Sequence, residues 1–353
     1  MGKDRSYIFF SLAGFTFSRG SVYLKQDGER SDNDSANFEI SGKFWKNLPF
    51  LISGIRSIAS KTSSIVVLSP SHLLVPVIKI ITGRRITLDA GWSLTEAEIA
   101  RWRGPKSIPR IIRSLIIDWI AFQMSSRIIV ESYQQRSYIS SRFFIKKSKI
   151  SVLMTGFDEK NFTEKSENPI ELRESKSSAS RPTVLFRGSY TSEAGLELLS
   201  ETTKKMENTN IEFIVSCSHL PKGLVFGKNT KIISRRLSAR EIKYLYETAT
   251  LCIGQISNRP RLRHTIPHKA FEAAFFGKPY VSSDALGIRE FLPKDNQCYY
   301  LNNTSVASLE KAILEITSDT ELQRNLSLNI QKRYNSVASQ ALLSLKFYEI
   351  ISS

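Results

Sequence analysis

Short apolar runs alternate with helical patterns twice along this chain of 353 residues. The predicted strands are 7–11, 65–69, 85–89, 127–131 and 149–153 in the first half, and 183–186, 211–216, 231–234, 251–254, 280–283 and 298–301 in the second. Strands that are separated by helices form parallel sheets with helices on both faces. A chain of this length is most naturally two domains, each large enough to bury its own core. The sequence therefore predicts an α/β protein with two doubly wound domains.

Helical patterns and polar stretches set the predicted domain boundaries. In the first half, helices are expected at 44–60, 71–82, 107–124 and 133–143. A further helix begins after Ser238, which forms a capping box with Glu241. The polar residues 25–39 are predicted to form a mobile loop. We expect a first domain over 1–160, a linker rich in Ser, Glu and Lys over 161–181, a second domain over 182–335 and a final helix over 336–353.

The segment 265–290, TIPHKAFEAAFFGKPYVSSDALGIRE, places helix-start, helix-stop and strand signals around charged residues. Pro267 suits a first helical position, and Gly277 stops the helix about ten residues later. Glu272 lies among apolar residues, three positions after Lys269. A carboxylate in such surroundings is costly to desolvate without a partner, and a ligand diol or a cation would serve. A Lys and a Glu three apart are, however, also typical of a solvated helix face.

Three segments resemble GT-B glycosyltransferases. The pattern P-x-K-x-x-E-A-x-x-x-G-K-P from Pro267, followed by G-x-x-E, is similar to the donor-nucleotide segment of the large retaining family 4. Residues 127–162 are similar to the end of the family's first domain, and residues 184–195 to the strand and loop that open its donor domain. The resemblance covers residues 127–292. It implies a GT-B fold with two facing Rossmann-like domains, in which the C-terminal helix returns to the first.

This resemblance implies an enzyme, a hexosyl- or related glycosyltransferase. It would move a sugar from a nucleotide-diphosphate donor to a glycan or lipid-linked glycan acceptor, with retention of the anomeric configuration. No cofactor is expected, because the nucleotide sugar is itself the substrate. No cluster of His, Asp, Glu or Cys in the sequence has metal-ligand spacing, so no metal is expected either.

The roles of family residues can be carried onto the matching positions of this chain. Glu272 is expected to accept hydrogen bonds from the ribose hydroxyls. Lys269 and Arg187 are expected to bind the diphosphate, where negative charge develops as the sugar leaves. The other predicted donor-binding residues are Gly188, Gly287, Ile288 and Glu290.

Three positions depart from the family pattern. Ser189 and Ala194 stand where family members often have an Arg and a Lys that hold the diphosphate. His264 stands eight residues before Glu272, where the family has a second glutamate. His264 is therefore a candidate catalytic residue, and a structural role suits it equally well. The missing cations motivate an alternative function, a GT-B-shaped binding or scaffolding subunit that has lost catalysis.

The first domain is expected to hold the acceptor, by analogy with the family. Asp89 lies at the end of a predicted strand and is the second candidate catalytic residue. His72 is a candidate acceptor-binding group. A structural role suits each of these two residues as well.

The net charge of +17 is concentrated in the first half, where residues 1–160 contain 24 Lys and Arg against 13 Asp and Glu. One stretch interleaves cations with apolar residues: Arg101, Trp102, Arg103, Lys106, Ile108, Arg110, Ile111, Ile112 and Arg113. Such a stretch suits a solvated helix face above a core, an anionic membrane surface or nucleic acid. We expect nucleic acid to be the least suitable of these partners.

Cysteine usage and hydropathy indicate the compartment. Cys217, Cys252 and Cys298 are too few for a disulfide framework and favour a reducing environment. No segment has the roughly 20 uninterrupted apolar residues that a bilayer-spanning helix needs. The expected location is the cytoplasm, with peripheral attachment to the inner face of the membrane as a further expectation from the basic stretch.

Overall fold

The computed structural model describes residues 7–15, 18–24, 35–39, 52–53, 55, 64–102, 104–163 and 181–353. The chain divides into two compact units, of which the first comprises Met1–Gly156 with Gln340–Ser353 and the second Phe157–Ser339. Phe157 belongs to the second unit, although the sequence placed it in the first domain, because its ring packs against the rings of Phe275 and Phe276.

The first unit is built on a parallel six-stranded sheet. Its strands are β1 (Tyr7–Ser11), β2 (Ser35–Glu39), β3 (Ser64–Leu68), β4 (Ile86–Gly91), β5 (Arg127–Val130) and β6 (Ile150–Val152). They lie in the order β2-β1-β3-β4-β5-β6. Along β1, Ile8 and Phe10 enter one buried cluster whereas Tyr7 and Phe9 enter another. Side chains alternate across a strand, so this sheet has a core on each of its faces.

Helices cover the first sheet. The described ones before the chain leaves this unit are α1 (Ser18–Leu24), α2 (Leu74–Thr82), α3 (Leu94–Ala100), α4 (Ile108–Met124) and α5 (Tyr133–Phe143). Ser93 caps α3 and Ser132 caps α5, each by accepting a hydrogen bond from a backbone N–H of the first turn. Gly83, with φ of 64°, ends α2 in the left-handed conformation that glycine adopts readily.

The second unit repeats this architecture. Its strands are β7 (Thr183–Arg187), β8 (Glu212–Ser216), β9 (Thr230–Ile233), β10 (Leu251–Ile253), β11 (Tyr280–Ser283) and β12 (Tyr299–Leu301). They form a parallel sheet in the order β12-β11-β10-β7-β8-β9. The strand order reverses between β7 and β10. In open α/β sheets ligands bind outside the carboxyl ends of the strands at such a switch point.

The helices of the second unit are α6 (Lys160–Thr163), α7 (Leu196–Lys205), α8 (Ala239–Thr248), α9 (His268–Phe275), α10 (Leu286–Phe291), α11 (Val306–Ser318) and α12 (Thr320–Val337). The capping box predicted for α8 is confirmed. Ser238 Oγ accepts from the Glu241 N–H at 3.3 Å, and Glu241 Oε2 accepts from the Ser238 N–H at 2.8 Å.

The last helix, α13 (Gln340–Ser352), returns to the first unit as expected. Gln340 Nε2 donates to the backbone carbonyl of Val22 at 3.1 Å, and Ser344 Oγ donates to that of Tyr23 at 2.8 Å. The ring of Phe347 stacks on Tyr23 with 4.8 Å between centroids. These contacts make α13 part of the first unit's core.

The predicted α/β class with two doubly wound parallel sheets is confirmed, and every predicted strand is present with ends within two residues of the expected ones. One strand was missed. β2 lies in the polar stretch 25–39, which the sequence assigned to a loop. Among the strands that the structure describes, β2 lies at the edge of the sheet and pairs with β1. Because it lies at the edge, it does not need the apolar run that marks the central strands.

Several other expectations differ or lie outside the described residues. The final helix begins at Gln340 rather than at 336, because α12 continues to Val337. The predicted helix 44–60 lies outside the described residues apart from 52–53 and 55, which are helical. Residues 164–180 of the predicted linker also lie outside them. Within the described part of the chain, no helix is long and apolar enough to cross a bilayer.

The replacement Phe347→Ala tests the packing of α13. The side chain is fully buried, so we expect the free energy of unfolding to fall by about 3–5 kcal/mol. Leu345→Ala, on the same helix but 64% exposed, is the matched control and should change it by less than about 0.5 kcal/mol. Urea unfolding of both variants measures the difference. Equal, small effects would show that α13 is not part of this core.

Candidate functional site

A cavity of about 520 Å³ opens at the carboxyl edge of the second sheet. Arg187 is the last residue of β7, Ser216 is the last residue of β8, and Gln255 follows β10, so the cavity lies at the switch point. The lining residues are Arg187, Gly188, Ser189, Thr191, Ser216, Ser218, Arg235, Arg236, Leu237, Ile242, Gln255, His268, Lys269 and Glu272.

Helix α9 brings the charged residues of its first turns to this cavity. Pro267 precedes the helix with an extended ψ of 128°, so it is the N-cap rather than the predicted first helical residue. Gly277, with φ of 60°, follows the end of the helix as expected. Phe271 and Ala274 are fully buried in the unit, whereas Lys269 and Glu272 face the cavity. The helix therefore has one face in the core of the unit and another toward the cavity.

The carboxylate of Glu272 is buried and accepts hydrogen bonds from three side chains. Arg187 Nη1 lies 2.6 Å from Oε1 and 2.5 Å from Oε2. The Tyr246 hydroxyl donates to Oε2 at 2.5 Å, and His268 Nδ1 lies 3.1 Å from Oε1, one helical turn before it. The partner that the sequence required for this carboxylate is thus supplied within the protein, chiefly by Arg187.

Electrostatics keep Glu272 ionised. Burial alone would raise the pKa of the carboxyl group, because the charged form loses its hydration. The positive charge of Arg187 and the hydrogen bonds from His268 and Tyr246 outweigh burial and hold the pKa well below its usual range. The same carboxylate raises the pKa of Arg187 against the opposing effect of desolvation. The pair is a charged unit at the wall of the cavity.

Lys269 occupies a different environment on the same helix. Its ammonium group lies 3.8 Å from the ring centroid of Phe186 and 3.3 Å from the carbonyl oxygen of Gly254. Desolvation lowers the pKa of Lys269, Glu272 opposes this shift and Arg187 adds to it, and together these effects bring the pKa to about 7. A lysine in such surroundings gains a full charge most readily when an anion approaches.

Two further cations line the cavity, and the sequence did not single them out. Arg235 and Arg236 follow the end of β9 and are exposed. Arg235 Nη2 donates to Glu241 Oε1 at 2.5 Å, which ties it to the first turn of α8. With Arg187 and Lys269, the cavity wall described here carries four cationic side chains.

The other predicted donor residues, Gly287, Ile288 and Glu290, are not among the described residues that line the cavity. A Cβ atom on Gly287 would lie 2.2 Å from the carbonyl oxygen of Thr265, so glycine permits a close approach of two backbones. Ile288 is buried and Glu290 is partly exposed on α10. His264 ends the 3₁₀ turn Pro260–Arg263 and is also partly exposed. Their predicted roles toward the donor stay predictions.

In the first unit, Asp89 and His72 are both fully buried. Arg19 Nη2 donates to Asp89 Oδ1 at 2.7 Å, and Arg19 Nε lies 3.1 Å from Oδ2, so the carboxylate is held in a buried ion pair. His72 packs edge-on against Phe122, and its Nε2 is 3.8 Å from Asp118 Oδ1. These contacts give both residues a structural task, and a catalytic role for Asp89 stays a prediction.

No group of three or more His, Cys, Asp and Glu among the described residues is arranged to hold a metal ion. Cys217, Cys252 and Cys298 are buried free thiols. Burial raises the pKa of Cys252 and Cys298, so both are protonated at neutral pH.

Comparisons with known proteins bear on the fold. The sequence matches no protein-family model and no curated protein. HepE from Anabaena, solved in complex with UDP, shares the fold with a TM-score of 0.72 and 12% identity over 98% of this chain and 99% of that one. Sucrose-phosphate synthase from Thermosynechococcus elongatus does so with a TM-score of 0.70 and 15% identity over 98% of each chain.

A third solved structure, from Listeria monocytogenes, is described as a UDP-N-acetylglucosamine 2-epimerase. It has a TM-score of 0.58 and 12% identity over 100% of this chain and 98% of that one. Together these similarities confirm the GT-B fold that the sequence predicted. Membership of family 4 stays a prediction.

The replacement Glu272→Gln tests the buried charge pair. At pH 7 we expect the free energy of unfolding to fall by about 3 kcal/mol, because a part-buried arginine loses its counter-charge. The pKa of Glu272 in the folded protein lies below its unfolded value of about 4.3. The stabilisation is therefore complete above about pH 5 and is lost as the pH falls further.

Urea unfolding between pH 7 and pH 3 measures this effect. The difference between wild type and Glu272→Gln should narrow as the pH falls below about 5. Glu201→Gln, at an exposed position of α7, is the control and should follow the wild type throughout. A difference that is the same at every pH would show that the charge of Glu272 is not what stabilises this wall.

Proposed function

We propose that the protein is a glycosyltransferase that takes a sugar from a nucleoside diphosphate and transfers it, with retention, to a glycan or lipid-linked glycan. The observation that carries this proposal is the cavity at the switch point of the second sheet, whose lining combines the buried carboxylate of Glu272 with four basic residues, Arg187, Lys269, Arg235 and Arg236. The UDP bound to HepE, which shares the fold, supports a nucleotide sugar as the ligand class.

The four cations suit a diphosphate. Guanidinium groups bind phosphate oxygens in bidentate geometry, and a lysine adds a compact point charge. Arg187 and Lys269 flank Gly188, where a Cβ atom would lie 3.4 Å from the Lys269 ammonium group. Glycine therefore leaves the space beside this cation free for an oxygen of the ligand. In the transfer, these cations would stabilise the charge that develops on the leaving diphosphate.

Glu272 is the proposed ribose ligand. Its two oxygens now accept hydrogen bonds from Arg187, Tyr246 and His268. A ribose diol needs acceptor positions on this carboxylate, and they become accessible if Arg187 turns from Glu272 to the diphosphate. Binding would then exchange one anionic partner of Arg187 for another, while Tyr246 and His268 keep the carboxylate in place.

The absence of two family cations motivated the alternative of a binding subunit without catalysis. Ser189 lines the cavity and Ala194 is buried. Neither side chain carries a charge that could bind the diphosphate. Arg235 and Arg236, which follow a different strand, place two arginines on the same wall. This favours retained diphosphate binding, and turnover separates the enzyme from the binding subunit.

Nucleotide binding by Glu272→Ala tests the proposed site. A panel of UDP, GDP, ADP and CMP in a thermal-shift assay identifies the base, and isothermal titration then gives affinities. Loss of charge-assisted hydrogen bonds should weaken the best ligand by about 10- to 100-fold. Glu201→Ala is the exposed control and should bind as the wild type does. Unchanged affinity in Glu272→Ala would exclude this carboxylate as a ligand.

The pH dependence of donor binding tests Lys269. A nucleotide sugar is the suitable probe, because its phosphates are diesters and keep their charge between pH 6 and pH 8.5. Since the pKa of Lys269 is about 7, the lysine is charged below this value and loses charge above it. We expect affinity to fall by about tenfold over this range, as a charge-assisted contact is lost.

Two variants identify the residue that causes the pH dependence of donor binding. Lys269→Met should bind the nucleotide sugar weakly and with little change over the same pH range. His268→Gln replaces the imidazole that lines the cavity next to Lys269 and should keep the fall seen in the wild type. If Lys269→Met retained the full pH dependence, the titrating group would lie elsewhere.

Product analysis by NMR separates the functions that this fold hosts. A transferase releases the nucleoside diphosphate and forms a glycoside, or a free sugar when water replaces the acceptor. An epimerase leaves the nucleotide attached and changes one sugar centre. A binding subunit leaves the nucleotide sugar intact. We expect release of the nucleoside diphosphate, and an epimerised nucleotide sugar would overturn the proposal.

A further inference from the structure

Helix α4 of the first unit exposes an apolar stripe. Ile108, Ile112, Ile116 and Trp119 are 45%, 51%, 53% and 52% exposed. Their spacing of four, four and three residues places them within an arc of roughly 80° along the helix. Single exposed apolar residues are ordinary on protein surfaces, but a continuous stripe on one helix calls for an occupant.

This stripe is distinct from the face with which α4 packs into its own unit. That inner face carries Asp118, Ala121 and Phe122, which are fully buried. Asp118 accepts hydrogen bonds from Ser93 Oγ at 2.7 Å and from the Thr95 N–H at 2.8 Å, so its charge is used within the unit. The core therefore does not account for the outward isoleucines.

The charges around the stripe are mainly positive. Lys106 and Arg113 are exposed beside it, and Arg110 is exposed on the first turn of α4, further round the helix. Arg101 is exposed at the end of α3, which packs on α4. Across the described residues between 99 and 124, the single acidic residue is the buried Asp118. The carboxylate next to this surface is that of the partly exposed Glu98, whose Oε1 lies 3.5 Å from Arg101 Nη1. The surface thus presents apolar groups and an excess of cations.

The neighbouring end of α3 extends the same surface. Ile99 is 46% exposed and Trp102 is 50% exposed. Tryptophan rings are suited to the boundary between lipid headgroups and acyl chains, because they have an apolar body and a polar N–H. We name the α4 face as the set Ile99, Arg101, Trp102, Lys106, Ile108, Arg110, Ile112, Arg113, Ile116 and Trp119.

We propose that the α4 face is a docking surface for an anionic lipid bilayer, on which α4 lies parallel to the membrane plane. The 17-residue helix is about 25 Å long, which allows the stripe to enter the headgroup region along its length. The flanking cations meet anionic headgroups, and each of them should raise membrane affinity by about fivefold. This inference is independent of the proposed enzymatic function.

Charge favours a membrane over the other occupants of such a face. A second copy of the chain would bring the same cations against each other, which is unfavourable on a protein with a net charge of +17. Nucleic acid would satisfy the cations, but binding to phosphates needs positive charge alone and gives the isoleucine stripe no role. An anionic bilayer satisfies both the cations and the apolar residues.

Flotation of the whole protein with vesicles tests the proposal. Vesicles of neutral phosphatidylcholine are compared with vesicles that contain phosphatidylglycerol as well. We expect binding to the anionic vesicles and weak binding to the neutral ones. The double replacement Arg110→Gln with Arg113→Gln should weaken binding by about 25-fold, at about fivefold for each cation.

A matched control removes the same charge elsewhere. Arg324→Gln with Lys332→Gln alters two exposed cations of α12 in the second unit and should leave vesicle binding within a factor of about two. Equal losses in both double variants would show that net charge, and not the α4 face, attracts the vesicle. The proposal would then be overturned.

The apolar stripe needs its own test. Ile112→Ser with Ile116→Ser should abolish detectable flotation although every cation remains, and Leu328→Ser, at a 55% exposed position of α12, is the control. Brominated lipids should quench the fluorescence of the wild type, and Trp119→Phe should lose part of that quenching. Full flotation of the serine variant, or quenching that does not depend on Trp119, would refute insertion of the stripe.

Two measurements identify the competing occupants. Analytical ultracentrifugation should show a monomer at concentrations where vesicles bind, and a dimer that Ile112→Ser disrupts would overturn the proposal in favour of self-association. Binding to generic double-stranded DNA that falls as strongly as vesicle binding in the arginine variant, without any effect of the serine replacements on vesicles, would overturn it in favour of nucleic acid. Nucleotide binding at the second unit should be unchanged in every α4 variant.

Discussion

The proposed site depends on the ion pair between the buried carboxylate of Glu272 and Arg187. A carboxylate without water is stable when cations and hydrogen-bond donors surround it, and here Arg187, Tyr246 and His268 supply them. The ion pair also determines where Arg187 lies. Glu272 holds the guanidinium group at the end of β7, at the point where the strand order of the second sheet reverses. The ion pair therefore keeps Arg187 at this edge of the sheet, from which we propose that it turns to the diphosphate when the ligand binds.

The order of the strands brings the other basic residues to the cavity. The loops after parallel strands meet at one edge of the sheet, so residues from β7, β9 and α9 converge although they are far apart in sequence. Arg235 and Arg236 lie after β9, whereas Lys269 lies on α9 above the Phe186 ring. This distribution explains how a wall without cations at Ser189 and Ala194 remains strongly positive. Charge at such a site is a property of the cavity rather than of a single loop.

The sequence predicts most strands of both sheets, and it predicts that the carboxylate of Glu272 needs a partner. The physical reasons for these two predictions differ. Buried parallel strands are short apolar runs, which can be recognised locally, whereas the edge strand β2 has no such run and was missed. Glu272 was identifiable because its neighbours are apolar. His268 was not predicted, although its position four residues before Glu272 on a helix is a local signal that the two side chains meet. Arg235 could not be found locally, because its place at the cavity follows from the order of the strands, and Arg19 pairs with Asp89 across seventy residues.

Cationic side chains have different surroundings in the two units. In the second, cations line a cavity around Glu272, and in the first they flank the exposed stripe of α4. A crystal structure with a bound nucleoside diphosphate tests the cavity as the donor site most directly. We expect phosphate oxygens within hydrogen-bond distance of Arg187 and Lys269, with the ribose hydroxyls at Glu272. A nucleotide bound away from this cavity, with the pair of Arg187 and Glu272 undisturbed, would contradict this expectation.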